Sequence, residues 1–295
     1  MAAFSPQPKG TGPIFPHFVV TRRSKMFNLP RSSNCEKLAP VAARLNMSIH
    51  PSGFSMTRIL LVRGMLAGVV AGFLVFALAR WIGEPQVERA IAFETAMDRA
   101  KGEAPEPEMV SRKVQRNLGL LTGTVVYGTA VGGIFGLVFA FAYGRIRISD
   151  PRMLSAVLAA LGFIAFVLVP TLKYPANPPS VGNPETIGVR TAAFFLLIAF
   201  SVAATILAIQ VERRLHGRLG GWNASFLAVV IFVIVTAAVA HFLPEFDEVP
   251  AGFPVTLMWK FRVAALEMQM LLWGILGFFF GWLVNRDLTS QQLHA

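Results

Sequence analysis

The chain has 295 residues, 54% of them apolar and only 15% charged, with a mean hydropathy of +0.57. A soluble domain carries nearer a quarter charged residues, so this composition excludes one and indicates an all-α integral membrane protein. The net charge of +11 is read as topology signalling at the membrane and not as a nucleic-acid surface; the single cysteine, Cys35, excludes an internal disulfide.

Residues 1–55 are rich in Pro, Ser, Asn and Arg and lack both apolar periodicity and a secretory h-region. They are expected to form a disordered extension. The run MTRILLVR at 56–63 reads like a natural N-terminus, which leaves open that the extension is a start-site artefact.

Six apolar stretches follow, near 64–82, 118–143, 154–169, 191–209, 224–243 and 264–284. The hydrocarbon core takes about 20 helical residues, so each is read as a spanning helix, the third being shortest. A membrane domain at 56–288 and a short tail at 289–295 complete the division. Glycines recur every four residues in the first two spans (Gly64, Gly68, Gly72; Gly128, Gly132, Gly136), and Gly277 and Gly281 follow in the sixth. That spacing places them on one helix face, where backbones can approach closely. Lining of a narrow pore is the alternative role.

Lys/Arg counts set the orientation. Nine lie before and at Arg63, and the connections at 144–152 and 210–223 are basic, so both termini are expected on the cytoplasmic side. Segment 83–117 falls outside yet holds six Lys/Arg, which runs against this assignment. The three outer connections share a character. Each has a proline near its start, followed by carboxylates in the first (GEPQVE) and third (LPEFDEVP).

The middle one is the most unusual stretch, with five prolines and two glycines between 170 and 188. Proline lacks an N–H and clashes with the preceding turn, so a rigid non-helical hairpin is expected there. Its distinctive residues are Lys173, Tyr174, Pro175, Asn177, Pro178, Pro179, Gly182, Glu185, Gly188 and Arg190.

Ionisable groups in or beside spans are costly and are functional candidates by default. His241, Glu245, Asp247 and Glu248 gather around the end of the fifth span, Glu267 lies within the sixth, and Glu185 sits in the hairpin. Imidazole and carboxylate are ligands that divalent transition metals accept, so these six are candidate metal contacts. The plainer reading of His241 is a headgroup-level polar residue. Lys173 and Tyr174 would then be interface anchors. Glu267 needs a cationic neighbour, for which Arg262 and Arg190 are the candidates. No metalloprotease, nucleophile-elbow, P-loop or Cys-x-x-Cys motif is present, so catalysis is not expected.

The string KYPANPPSVGNPETIG at 173–188, followed by Arg190-Thr191, resembles the hallmark of the CbtA family. Three other segments are similar to it: VQRNLGL at 114–120 with Tyr127-Gly128, LPEFDEVP at 243–250 with Phe253-Pro254, and LMWKFR at 257–262. The resemblance runs from about 57 to 286. It implies a subunit of a cobalt (or nickel-like) cation transporter in a bacterial inner membrane, associated with cobalamin metabolism and having about five spans. It also implies a small second membrane subunit, CbtB, with a His-rich end. No tightly bound cofactor is implied, and Co2+ or Ni2+ would be cargo. The competing reading is a non-transporting membrane scaffold whose rigid outer loops dock a partner protein.

Overall fold

The apolar stretches fold into five helices long and apolar enough to cross a membrane: α1 (Met56–Lys101), α2 (Arg112–Ala142), α3 (Pro151–Lys173), α4 (Pro184–Phe242) and α5 (Val255–Asp287). This computed structural model describes residues 53–102 and 110–293, and among them there is no strand. The expectation for residues 1–52 lies outside the described residues. Backbone helix begins at Gly53 and, beyond α5, continues to Leu293.

The expected boundaries shift in two places. Segment 83–117 is not simply a connection, because α1 passes through a π-helical turn at Ala79–Gly83 and continues as helix over Glu84–Lys101. It stops at Gly102, whose φ of 74° gives the left-handed C-cap that glycine adopts without strain. The proline-rich insert is also shorter than expected. Helix α3 runs through Pro170 to Lys173, preceded by a π turn at Ile164–Leu168. An expanded turn relieves the clash and lost hydrogen bond that a helical proline creates. The irregular part is therefore 174–183, before the 3-10 turn Pro184–Thr186.

The count of six spans becomes five long helices because α4 contains two of them. Its α-helical part, Ile187–Phe242, is 56 residues long and broken at Gly220, which has φ 77° and ψ 161°. A straight rod of that length would hold its ends about 84 Å apart. Here Thr186 and Arg190, at the start, both hydrogen-bond Glu248, six residues beyond the end. Six extended residues reach only about 20 Å, so α4 doubles back at Gly220.

Helices α1 and α2 form the closest pair. A Cβ on Gly68 would lie 2.0 Å from the Gly128 carbonyl oxygen, and one on Gly132 would lie 2.2 Å from that of Gly64. Gly136 meets Leu60 and Gly72 meets Thr124 in the same way, at 2.5 and 2.7 Å. No larger residue fits at this seam. Against it lies an aromatic core in which Phe280 meets Phe135 and Phe139 edge-on at 5.3 and 5.1 Å.

Helix α5 joins α3 through a second close contact. Gly277 faces the Ala159 methyl and Gly281 faces Ser155. The π turn Leu276–Phe280 leaves the Leu276 carbonyl to accept a hydrogen bond from the fully buried Ser155 hydroxyl at 3.3 Å. Gly162 is tighter still, since a Cβ there would enter the Trp273 ring at 2.1 Å.

Candidate functional site

The three segments expected on one side of the membrane meet in one place. Ala90 from the extension of α1, Val181 from the hairpin and Phe253 from the segment between α4 and α5 are buried together with Leu257 and Met258. Phe93 packs edge-on against Phe253 with ring centres 5.0 Å apart, and the Ser180 hydroxyl donates to the Ala90 carbonyl at 3.3 Å. The proline-rich hairpin is thus the middle layer of a cap.

Its geometry is held by ion pairs and directed hydrogen bonds. Arg190 Nη1 donates to Glu248 Oε2 at 2.6 Å, and the Asn183 backbone N–H donates to the same oxygen at 2.8 Å. The Thr186 hydroxyl donates to the other Glu248 oxygen. These donors hold the Glu248 carboxyl below its ordinary value, the Thr186 hydroxyl and the Asn183 N–H first, the Arg190 charge also contributing. Gly182 makes room for the arginine: its φ is +126°, and a Cβ there would come within 2.5 Å of Arg190 Nη1.

A second set of contacts fixes the other edge of the hairpin. Lys173 Nζ donates to Glu245 Oε1 at 2.9 Å, and the Tyr174 hydroxyl donates to the Pro244 carbonyl at 2.7 Å. The Lys173 hydrogen bond and charge hold the Glu245 carboxyl low. Burial, and less so Glu245, pushes the Tyr174 phenol up, so it stays a neutral donor. From α5, Arg262 donates to the Ala176 carbonyl and to Asn177 Oδ1, at 3.4 and 3.1 Å. Below the cap, Arg112 pairs with the buried Glu84 at 2.7 Å, and Arg116 pairs with Glu88 at the same distance. Two of the basic residues that sit awkwardly with the topology of 83–117 are therefore engaged with carboxylates of the α1 extension.

The hairpin and the segment between α4 and α5 are two of the regions that resemble CbtA, and the comparison with family models agrees: the model described as CbtA, probable cobalt transporter subunit, matches residues 57–285. The chain belongs to the CbtA family. No curated protein and no solved structure gives a match. Family membership makes this a multi-pass membrane protein of a transporter-subunit family, and a subunit implies a partner.

Within this CbtA chain the six candidate metal contacts do not form one cluster. Among the described residues, no group of three or more His, Cys, Asp or Glu side chains could hold a metal ion. Glu248 and Glu245 are occupied by Arg190 and Lys173. Glu185 and Asp247 are exposed, as is His241, whose ring lies against Phe242. Glu267 is also exposed on α5, and neither cation considered for it is its partner: Arg262 holds the hairpin and Arg190 holds Glu248.

Sequence reading missed two features. Glu84 gave no signal except its position beside a proline, yet it is buried and paired. Gln269 belongs to no motif, and its Oε1 is buried without a hydrogen-bond partner. Two cavities border it. One of about 820 Å³ extends under the hairpin, and one of about 400 Å³ lies between α1, α2 and α5.

Proposed function

We propose that this chain is the membrane-embedded subunit of a transporter for cobalt or a similar divalent transition-metal cation, in a bacterial inner membrane. The observation that carries this, beside family membership, is the division of the carboxylates. Glu248 is held in the clasp and Glu245, itself exposed, pairs with Lys173, while Glu185, Asp247 and Glu267 are exposed, as is the His241 imidazole. A chain with no group of three strong ligands among its described residues is suited to pass an ion and not to retain it.

High-affinity capture then falls to the partner, a small CbtB-like subunit bearing histidines. Glu185 and Asp247 raise the local cation concentration at the cap. Six passes with both termini cytoplasmic is the topology we favour. The return of α4 at Gly220 supports it, because each half of α4 is then long enough to cross the hydrocarbon core. The basic connection around Arg213, Arg214 and Arg218 supports the same sidedness.

The test is radiocobalt uptake by cells carrying this chain with and without a His-bearing membrane partner. Uptake above the empty control that needs both chains supports the proposal. The scaffold reading has one observation of its own, that the cap's ion pairs are closed among themselves. It predicts a stable complex with a partner and no change in uptake or in thermal stability with Co2+.

A further inference from the structure

Gln269 Oε1 is a buried acceptor with no partner, on a helix apolar enough to cross a membrane. Leaving such an atom unmatched is costly, and polar groups within spans are functional candidates for that reason. Gln269, Tyr127 and Ala265 wall both cavities at once. The larger cavity begins at the cap beside Tyr174, Asn177 and Arg190 and reaches Ile198, about 12 Å of helix further on. The Arg190 charge at its mouth is compensated by Glu248.

Neither cavity has an Asp, Glu, His or Cys in its wall. A divalent cation entering here finds neutral oxygens but no carboxylate, imidazole or thiolate to replace its water, which favours passage with its shell kept. About six waters at roughly 30 Å³ each need near 200 Å³, which either cavity holds. Metal-bound waters are strong donors, and an amide oxygen is an acceptor that carries no charge to trap the ion.

We infer that Gln269 is the midpoint station of a hydrated-cation passage beneath the hairpin, its amide turning so that Oε1, buried at rest, faces the cavity and accepts a hydrogen bond from the ion's own water. This deepens the transporter reading and rests on it. The probe is a membrane-impermeant thiol reagent applied to Gln269→Cys in a Cys35→Ser background. Hexamminecobalt(III), an exchange-inert cation about the size of a hydrated divalent ion, is the protectant.

The expected result is modification of Gln269→Cys that hexamminecobalt slows several-fold, with none at Phe278→Cys on the outer face of α5. Thr191→Cys, in the wall of the larger cavity, should behave like Gln269→Cys and covers the case in which the first variant folds poorly. In the unlabelled protein, Gln269→Leu should lower radiocobalt uptake about tenfold, equivalent to one hydrogen bond of about 1.4 kcal/mol, while Gln269→Asn retains most of it. No modification at either cysteine, or modification that the cation does not slow, overturns the passage. Protected modification in a protein that carries no cobalt leaves the passage standing and overturns the transport reading.

Discussion

Arg190 and Glu248 lie 58 residues apart in sequence and 2.6 Å apart in space. Their contact fastens the start of α4 to the segment that follows its end, with the break at Gly220 between them. It also fastens the hairpin, since Asn183 and Thr186 donate to the same carboxylate. One glutamate therefore closes a helical hairpin and seats the cap over it.

Gly182→Ala should loosen this clasp. The side chain would have to occupy φ +126°, and its Cβ would press within 2.5 Å of Arg190 Nη1. Strain at such a position is of order 1–3 kcal/mol. The check is the thermal midpoint of the purified protein, which should fall, together with faster proteolysis between 174 and 186. A Gly188→Ala control has nothing within 4 Å of its Cβ and should leave both unchanged.

The clasp should be sensitive to acid. Folding lowers the Glu248 carboxyl from its ordinary 4.5, so its contribution is present above that value and is lost as pH falls through the lower folded value. Thermal midpoints of the wild type should hold above the ordinary 4.5 and fall as the pH drops below it. Glu248→Gln has no proton to take up there, so its curve should be shallower in the same window.

Gly68→Ala tests the α1–α2 seam. Its Cβ would sit 2.0 Å from the Gly128 carbonyl oxygen, which is backbone and has no rotamer by which to yield. The helices must separate, at a cost of about 1–3 kcal/mol for overpacking. Gly123→Ala, in open space on the same helix pair, is the matched control and should be neutral in the same melt.

Arg112→Met removes the partner of Glu84, a carboxylate only 7% exposed. An unmatched buried acceptor costs about 1–3 kcal/mol. The combined Arg112→Met and Glu84→Met variant should recover much of the loss, because two apolar groups leave nothing unsatisfied. Equal midpoints for the single and double variants would mean that the pair acts independently of its charges.

Fold class was legible because apolar run length is a direct response to bilayer thickness, and it survives any detail of packing. The doubling of α4 was half legible. Hydropathy separated the stretches at 191–209 and 224–243, but the helix continues through the polar residues between them until Gly220, which no hydropathy scale marks. Pro170 misled in the opposite direction, because a π turn upstream absorbed it. The hairpin's importance was visible in its prolines, whereas the role of Glu248 was not. A carboxylate in a loop reads as a ligand until its three donors, two of them in the hairpin, are placed around it.

The most direct measurement is radiocobalt uptake by Glu248→Gln beside Glu248→Ala, each expressed with the partner subunit. The one oxygen of glutamine can still accept from the Asn183 N–H and Arg190, and its NH2 can donate to the Thr186 hydroxyl, so a clasp predicts uptake close to wild type for Gln and strongly reduced uptake for Ala. Uptake lost equally in both, in proteins of wild-type abundance and melting temperature, would make the carboxylate charge itself part of the ion's path and contradict the account of the cap.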